Sequence, residues 1–298
     1  MLIQKAGYIL VLSGLAFLFF LSGIVTPLFG IFIFPFSSAA LLLLFLKEGA
    51  LSGFLGIILS AALVYFSPYL GIGFIPVFLL FPVLSAVIFY AGLSRKDRKI
   101  KILMRSFLII SGISLVFLVL LASGGFQFSS LLENVSSGIR RESFVLMADI
   151  FERYVYAFIV MSTGIYVLLS YVYAEHFACR IGVKTGKLPF SYLWRLPEWF
   201  IFVFIFSLAG YVSANIFKAD LPILIAENLL FVVSSAYFIS GITIVSFFFK
   251  NVKLMRFVTY MFFFLYPPAA MLIGLTDVWL DFRKKKGDDN ESDNKERC

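Results

Sequence analysis

The sequence predicts an all-α protein that crosses a lipid bilayer many times, and three observations support this fold class. Hydrophobic residues make up 61% of the 298 positions, charged residues make up 14%, and the mean hydropathy is +0.99. The apolar residues are gathered into windows long enough for transmembrane helices, which need about 20 residues each. These windows are continuous rather than alternating, as in Leu41–Leu46 and Phe247–Phe249, which argues against a transmembrane barrel.

Nine hydrophobic segments follow one another along the chain. No Asp, Glu, Lys or Arg occurs in residues 6–46 or 49–94, and each stretch is long enough for two crossings with Pro and Gly turns between them. The other windows lie at about 106–123, 154–174, 199–216, 221–249 and 257–280. We therefore expect a polytopic transmembrane helix bundle of about eight crossings plus a last segment that is broken by prolines.

Positive charges are unevenly distributed between the loops, as the positive-inside rule requires. Counting crossings puts the basic loops 95–105, 175–197 and 250–256 on one side, the predicted cytoplasmic side. Four cations before the last segment fall on the other side, namely Arg140, Arg141, Arg153 and Lys218. The net charge of +8 is thus explained by orientation in a membrane. Expected partners are the lipid bilayer and other membrane or cytoplasmic proteins, and no nucleic acid.

The last segment, 257–280, departs from a simple crossing. Cations precede it in 250–256 and follow it at Arg283–Lys286, so a crossing would export four clustered charges. Pro267 and Pro268 lie in its middle, where they remove two backbone donors and break a helix. The charge rule therefore favours a re-entrant hairpin over a plain crossing.

The chain is predicted to hold one multi-span membrane domain, 1–282, and a disordered charged cytoplasmic tail, 283–298. The tail is rich in Lys, Asp, Asn and Glu and has no apolar anchor. The predicted non-cytoplasmic loop 124–153 places apolar residues at helical spacing among charged ones. That pattern is typical of an amphipathic helix on the membrane surface.

Catalytic and cofactor-binding patterns are not found in the sequence. The single histidine, His176, has only Cys179 near it, and a lone pair of this kind is a weak metal signal. There is no Gly-x-Ser-x-Gly, no phosphate-cradling loop and no His-Glu-x-x-His. We expect a protein that is not an enzyme and that uses neither a cofactor nor a metal.

Glu227 is the best candidate for a functional residue, because it lies inside an apolar span. An ionisable group there costs roughly 2.5–3.5 kcal/mol on insertion scales, so it normally faces a partner or a cavity. Ser234 shares its helical face, Tyr237 lies near that stripe, and Asn215 near the end of the preceding segment could line the same space. These four residues form the predicted ligand site. The alternative is that Glu227 bonds Asn215, a tyrosine or headgroup water and only braces the fold.

Three stretches in the carboxy-terminal half resemble the YybS-like family of bacterial inner-membrane proteins. They are 188–199 (LPFSYLWRLPEW), 227–241 (ENLLFVVSSAYFISG) and 274–284 (GLTDVWLDFRK). The amino-terminal half resembles S components of energy-coupling-factor transporters, and also rod-shape membrane proteins, in its first span and its placing of Pro27, Pro35 and Lys47-Glu48-Gly49. The resemblance implies a multi-pass protein of the bacterial cytoplasmic membrane.

Two functions are compatible with a multi-pass membrane protein that has no catalytic pattern. The first is a transporter subunit similar to an S component, which binds a small solute or lipid-like ligand. The second is a non-catalytic scaffold in an envelope, cell-division or cell-shape assembly, acting through its cytoplasmic loops.

The predicted orientation can be tested by cysteine-accessibility labelling in intact cells. A membrane-impermeant reagent should label a cysteine at position 134 and leave cysteines at positions 99 and 187 unmodified, because the cation distribution places these sites on opposite sides. Labelling at 99 or 187 with protection at 134 would reverse the assignment.

Overall fold

Helices are the only regular elements in the part of the chain that this computed structural model describes, so the predicted all-α class is confirmed. The described residues are 2–68, 70, 72–123, 141–182, 196–218, 220–249 and 252–280. They fall into two compact units, the first within 1–126 and 159–188 and the second within 127–158 and 189–297. The predicted tail, 283–298, lies outside the described residues.

The first unit contains six helices and the second part of a seventh. They are α1 (Leu2–Val25), α2 (Pro27–Glu48), α3 (Ala50–Phe66), α4 (Ile75–Phe78), α5 (Leu84–Ser94), α6 (Lys99–Ser123) and α7 (Arg141–Arg180). A π-helical turn at Leu79–Val83 joins α4 to α5. It contains Pro82, which lacks the N–H that a regular helical turn needs.

The core of the first unit is aromatic and aliphatic, with Phe20, Phe78 and Phe89 fully buried. α2 and α3 lie close together because α3 carries glycine where they meet. A Cβ atom at Gly53 would overlap the Phe45 ring, and one at Gly56 would overlap Leu44. The turn between the two helices is at Gly49, whose φ of 88° favours a residue without a Cβ atom.

Seven helical stretches among the described residues are long and apolar enough to cross a membrane, and one of them, Ile72–Ser94, runs through α4, the π-helical turn and α5. They agree with the predicted windows except in 49–66, where α3 has 17 residues. A helix of that length spans about 25 Å, less than the hydrocarbon core of about 30 Å. The polytopic helical architecture is therefore confirmed, and α3 is the one predicted crossing that is short.

The second unit contains the first part of α7 and the four carboxy-terminal helices. These are α8 (Phe200–Phe217), α9 (Asp220–Phe248), α10 (Lys253–Leu265) and α11 (Pro267–Leu280). A tight turn joins α8 to α9, with Lys218 in the left-handed region at φ 51°. Because the turn is so short, α8 and α9 run antiparallel, and Gly210 packs against Ala226 across them.

α9 and α11 approach each other through a glycine on each helix. A Cβ atom at Gly241 would overlap the Ala270 carbonyl oxygen, and one at Gly274 would overlap the Tyr237 carbonyl oxygen. From the first contact to the second, the residue number falls from 241 to 237 on α9 and rises from 270 to 274 on α11. The two helices are therefore antiparallel. Small residues that let backbones approach are a common basis of helix association in membranes.

The proline break predicted in the last segment is confirmed, and its geometry is new. α10 ends at Leu265 and α11 begins at Pro267, with a bend of 107° between them. A hairpin would reverse the chain by nearly 180°, and a single crossing would be close to straight. The two helices instead form an L, because the missing donors of Pro267 and Pro268 end the first helix at Tyr266.

The predicted surface helix at 124–153 is described only from residue 141. From there to residue 180 the chain forms α7, 40 residues without a break. Such a helix is about 60 Å long, twice the thickness of the hydrocarbon core. The charged residues of 141–153 therefore belong to a continuous extension of the next span, and they do not form a separate helix.

The Gly241 contact predicts a strong response to one added methyl group. We expect Gly241→Ala to destabilise the folded protein by about 1–3 kcal/mol, because the Cβ atom must displace backbone. Gly112→Ala is the matched control, since no atom lies within 4 Å of its Cβ position in α6, and it should stabilise by up to about 1 kcal/mol through helix propensity. Thermal unfolding in one detergent measures both. Equal effects would mean that the helices do not meet at Gly241.

Candidate functional site

Glu227 lies on α9 in the second unit with its side chain only 7% exposed. Its two carboxylate oxygens accept hydrogen bonds from Nε and from one terminal nitrogen of Arg153 on α7. The Arg153 side chain is 54% exposed, so the cation reaches solvent or headgroups while the anion is covered. A bidentate guanidinium–carboxylate pair of this kind fixes both the position and the orientation of the two side chains.

Asn228, the next residue, binds the backbone of the same turn of α7. Its amide nitrogen donates to the Arg153 carbonyl at 2.8 Å, and its amide oxygen accepts from the Ala157 N–H at 2.9 Å. Residues 153 and 157 are four apart, so these are the two groups that an α-helix pairs with each other. The Asn228 amide thus contacts both ends of one step of the α7 hydrogen-bond ladder. Residue 153 is held through its side chain by Glu227 and through its carbonyl by Asn228.

This arrangement gives Glu227 a bracing role. A carboxylate that is almost completely buried needs a cation and hydrogen bonds to offset its loss of hydration, and Arg153 supplies both. The partner is neither Asn215 nor a tyrosine, which the sequence suggested. The geometry favours the structural alternative for Glu227 over ligand binding.

The other predicted site residues do not converge on Glu227. Asn215 is exposed, and its amide donates to the Tyr211 carbonyl on its own helix at 2.8 Å. Ser234 is half-buried. Tyr237 is fully buried beside the rings of Phe200 and Phe204, with a hydroxyl that has no hydrogen-bond partner among the described residues. A ligand site made of these four residues stays a prediction.

A cavity of about 580 Å³ lies elsewhere in the second unit. Its walls come from the amino-terminal end of α8, the middle of α9 and the carboxy-terminal half of α11. The described residues that line it are Leu196, Pro197, Glu198, Trp199, Ser240, Gly274, Asp277 and Val278. Each of them belongs to one of the three stretches, 188–199, 227–241 and 274–284, that carry the family resemblance.

The glycine contact between α9 and α11 also positions the polar groups of this cavity. Gly274 lies against the α9 backbone at Tyr237, and Asp277 follows it by three residues, so both share one face of α11. Ser240 follows Tyr237 by three residues on α9 for the same reason. Ser240 and Asp277 are 2% and 3% exposed, and they border the cavity from two adjacent helices.

The cavity has the volume of a small-molecule site. Ligand pockets are about 300–1,000 Å³ in volume, mostly apolar, with a few polar groups that orient the ligand. Among the described lining residues, the apolar part consists of aliphatic side chains and the Trp199 ring, and the polar part consists of the Ser240 hydroxyl and the carboxyl groups of Glu198 and Asp277. This part of the wall suits a ligand with an apolar body and a positively charged or donor-rich end.

Four residues that matter here were not proposed as site residues from the sequence. Arg153 and Asn228 belong, with Glu227, to the contact between α7 and α9 that we call the brace. Glu198 and Asp277 border the cavity. The sequence gives one reason to consider Arg153, because it is a cation next to a span on the side where cations are rare. It also gives a reason to consider Asp277, which is the only acidic residue in the window 257–280.

A family model described as "predicted membrane protein (DUF2232)" matches residues 14–278. The chain belongs to the DUF2232 family. This membership supports a multi-pass membrane protein and carries no ligand or activity with it. No curated protein and no solved structure matches the chain, so the YybS-like and S-component resemblances stay predictions.

Within the described part of the chain, no three His, Cys, Asp or Glu side chains lie together as a metal site would need.

Glu227 and Arg153, the two charged residues of the brace, are expected to differ in how much their loss lowers the stability of the protein. Arg153→Leu should destabilise by about 3–5 kcal/mol, because it leaves Glu227 buried without a cation. Glu227→Gln should be milder, since the exposed part of Arg153 can be solvated, and Glu227→Leu combined with Arg153→Leu should recover much of the loss. Thermal unfolding of the four proteins measures this coupling.

Arg105→Leu is the control for losing an arginine. Arg105 pairs with Asp97 at 3.3 Å in a setting where their side chains are 35% and 20% exposed, so its loss should cost at most about 1 kcal/mol. If Arg153→Leu is as mild as Arg105→Leu, Glu227 does not depend on Arg153.

Proposed function

We propose that this DUF2232 protein is a non-catalytic, ligand-binding subunit of a transport system in the bacterial inner membrane, similar to an S component. The ligand is a small solute or a lipid-like molecule, and it binds in the cavity of the second unit. The observation that carries the proposal is the cavity itself. It has the volume of a ligand pocket, and its wall is drawn from all three stretches of the resemblance.

The chemical class of the ligand follows from the wall. Glu198 and Asp277 are acceptors when ionised, Ser240 can both donate and accept, and the face of Trp199 attracts cations. An amine or an organic cation attached to an apolar body is complementary to a wall of this composition. Such a molecule could be a soluble amine or a lipid with an amino headgroup.

A subunit of this kind captures its ligand and depends on a partner for energy. In this proposal a separate ATPase drives release. The cavity borders the amino-terminal end of α8, which the charge distribution predicts to be cytoplasmic. A ligand bound there would be close to the side on which such an ATPase acts.

The proposal predicts that Glu198→Gln removes the ligand and leaves the fold, because the Glu198 side chain is exposed. The protein is purified from native membranes in a mild detergent, and the small molecules and lipids that accompany it are identified by mass spectrometry. A charge-assisted hydrogen bond contributes about 1.5–3 kcal/mol, so occupancy by the amine should fall ten- to hundredfold in the variant. The unfolding temperature shows whether the variant is folded.

Asp220→Asn is the matched control, because it makes the same carboxylate-to-amide change at an exposed position of the same unit. It should keep the ligand. Equal occupancy in all three proteins would show that the cavity is not the binding site. The proteins that co-purify separate the two functions: an ATPase pair supports transport, and peptidoglycan-synthesis proteins without a bound ligand support the scaffold.

A further inference from the structure

α10 differs from the other apolar helices in the distribution of its side chains. Seven apolar residues of this 13-residue helix are between 48% and 82% exposed, namely Leu254, Met255, Phe257, Val258, Met261, Phe262 and Leu265. On a helical wheel they cover one broad face. The opposite face carries Arg256 and Tyr260 together with the buried Phe263.

That opposite face joins α10 to the end of α9. The Tyr260 hydroxyl is hydrogen-bonded to the Ser246 hydroxyl at 2.5 Å, and Phe263 packs with Val245 and with Ala270 of α11. α10 is therefore held in place by the side that carries Tyr260 and Phe263, and its apolar face points away from α9 and α11. A helix in water would not present its apolar residues in this way.

The orientation of α10 follows from its two neighbours. α9 has the length and hydropathy of a membrane span, and α11 packs antiparallel to it at Gly241 and Gly274. α10 is bent by 107° from α11, so it runs nearly at right angles to the helices that follow the bilayer normal. With 13 residues it is also only about 20 Å long, too short to cross.

The charges next to this apolar face are all positive. Between Glu227 and Asp277 the sequence has no acidic residue, and its only cations are Lys250, Lys253 and Arg256 at the start of α10. A helix with one apolar face and adjacent basic residues lies in the interface and attracts anionic headgroups. The loop that contains these cations is predicted to be cytoplasmic, and the cytoplasmic leaflet carries the negative surface potential.

We infer that α10 lies flat in the bilayer interface, with its apolar face in the acyl boundary and its cations on anionic lipid headgroups. The surface is thus a lipid-binding one, and its partner is the anionic membrane surface. In this arrangement 253–280 is neither a crossing nor a re-entrant hairpin. It is an interfacial helix followed by a helix that packs back along α9.

A depth measurement tests this inference on the full chain in vesicles of phosphatidylcholine and phosphatidylglycerol. A fluorescent amino acid is introduced by codon suppression at position 254, 258, 261 or 265, one at a time. Lipids brominated at different acyl positions then report its depth. For a flat helix the four depths should agree within about 5 Å, the range over which interfacial helices insert. A gradient of about 16 Å from 254 to 265 would be that of a helix along the bilayer normal and would overturn the inference.

The matched control is the lipid-exposed face of α8, measured at positions 202, 206, 212 and 216. These side chains are between 50% and 73% exposed, and α8 is a candidate span. Over 14 residues their depths should change by about 21 Å. This gradient shows that the method resolves an upright helix in the same protein.

A second measurement tests the headgroup chemistry. With the probe at position 258, quenching by brominated phosphatidylglycerol is compared with quenching by brominated phosphatidylcholine. Attraction by three cations should enrich the anionic lipid at least about twofold, and the double variant Lys253→Gln/Arg256→Gln should lower the enrichment toward one. Enrichment that is absent, or that survives in the double variant, would overturn the anionic-lipid part. The probe at position 206 should report an unchanged depth in the variant, which shows that it is folded.

Discussion

The hydrocarbon core of a bilayer offers no hydrogen-bond partner, so a polar group that enters it is costly unless the chain itself supplies one. Many serine and threonine hydroxyls meet this need locally, by donating to a carbonyl one turn earlier in their own helix, as Ser106 does to Ile102 and Ser114 to Ile110. The Glu227 carboxylate and the Asn228 amide instead find partners on another helix. The few interhelical polar contacts therefore specify which helices pack together.

Asn228 and Glu227 show how strictly polar contacts determine the way in which two helices pack. The amide reproduces the donor and acceptor of one helical step, so it fits only where the Arg153 carbonyl and the Ala157 N–H are four residues apart. The carboxylate adds a charge pair on the same turn. A shift of α9 by one residue would separate both contacts at once. This pair thus sets the register between α7 and α9, whereas the many apolar contacts tolerate small displacements.

The sequence predicted the features that depend on run length, hydropathy and proline chemistry. It gave the helical class, most spans and the break before Pro267, because each is decided by a few neighbouring residues. It did not give the partner of Glu227, which lies 74 positions away. It also counted 257–280 as one hydrophobic segment, and so missed that α10 has two different faces. The partner of Glu227 depends on tertiary packing, which one sequence does not encode locally.

The second unit contains two kinds of acid, and their surroundings decide which one suits a ligand. Both oxygens of Glu227 are engaged by Arg153, so a ligand cation would have to displace a bidentate partner that is already in place. Glu198 instead is exposed on the wall of an open space of about 580 Å³, together with Asp277 and Trp199. A ligand can enter that space without breaking the contact between α7 and α9. A buried acid in a span is thus a weaker indication of binding than an exposed acid beside a cavity, because the buried acid is usually neutralised by the fold itself.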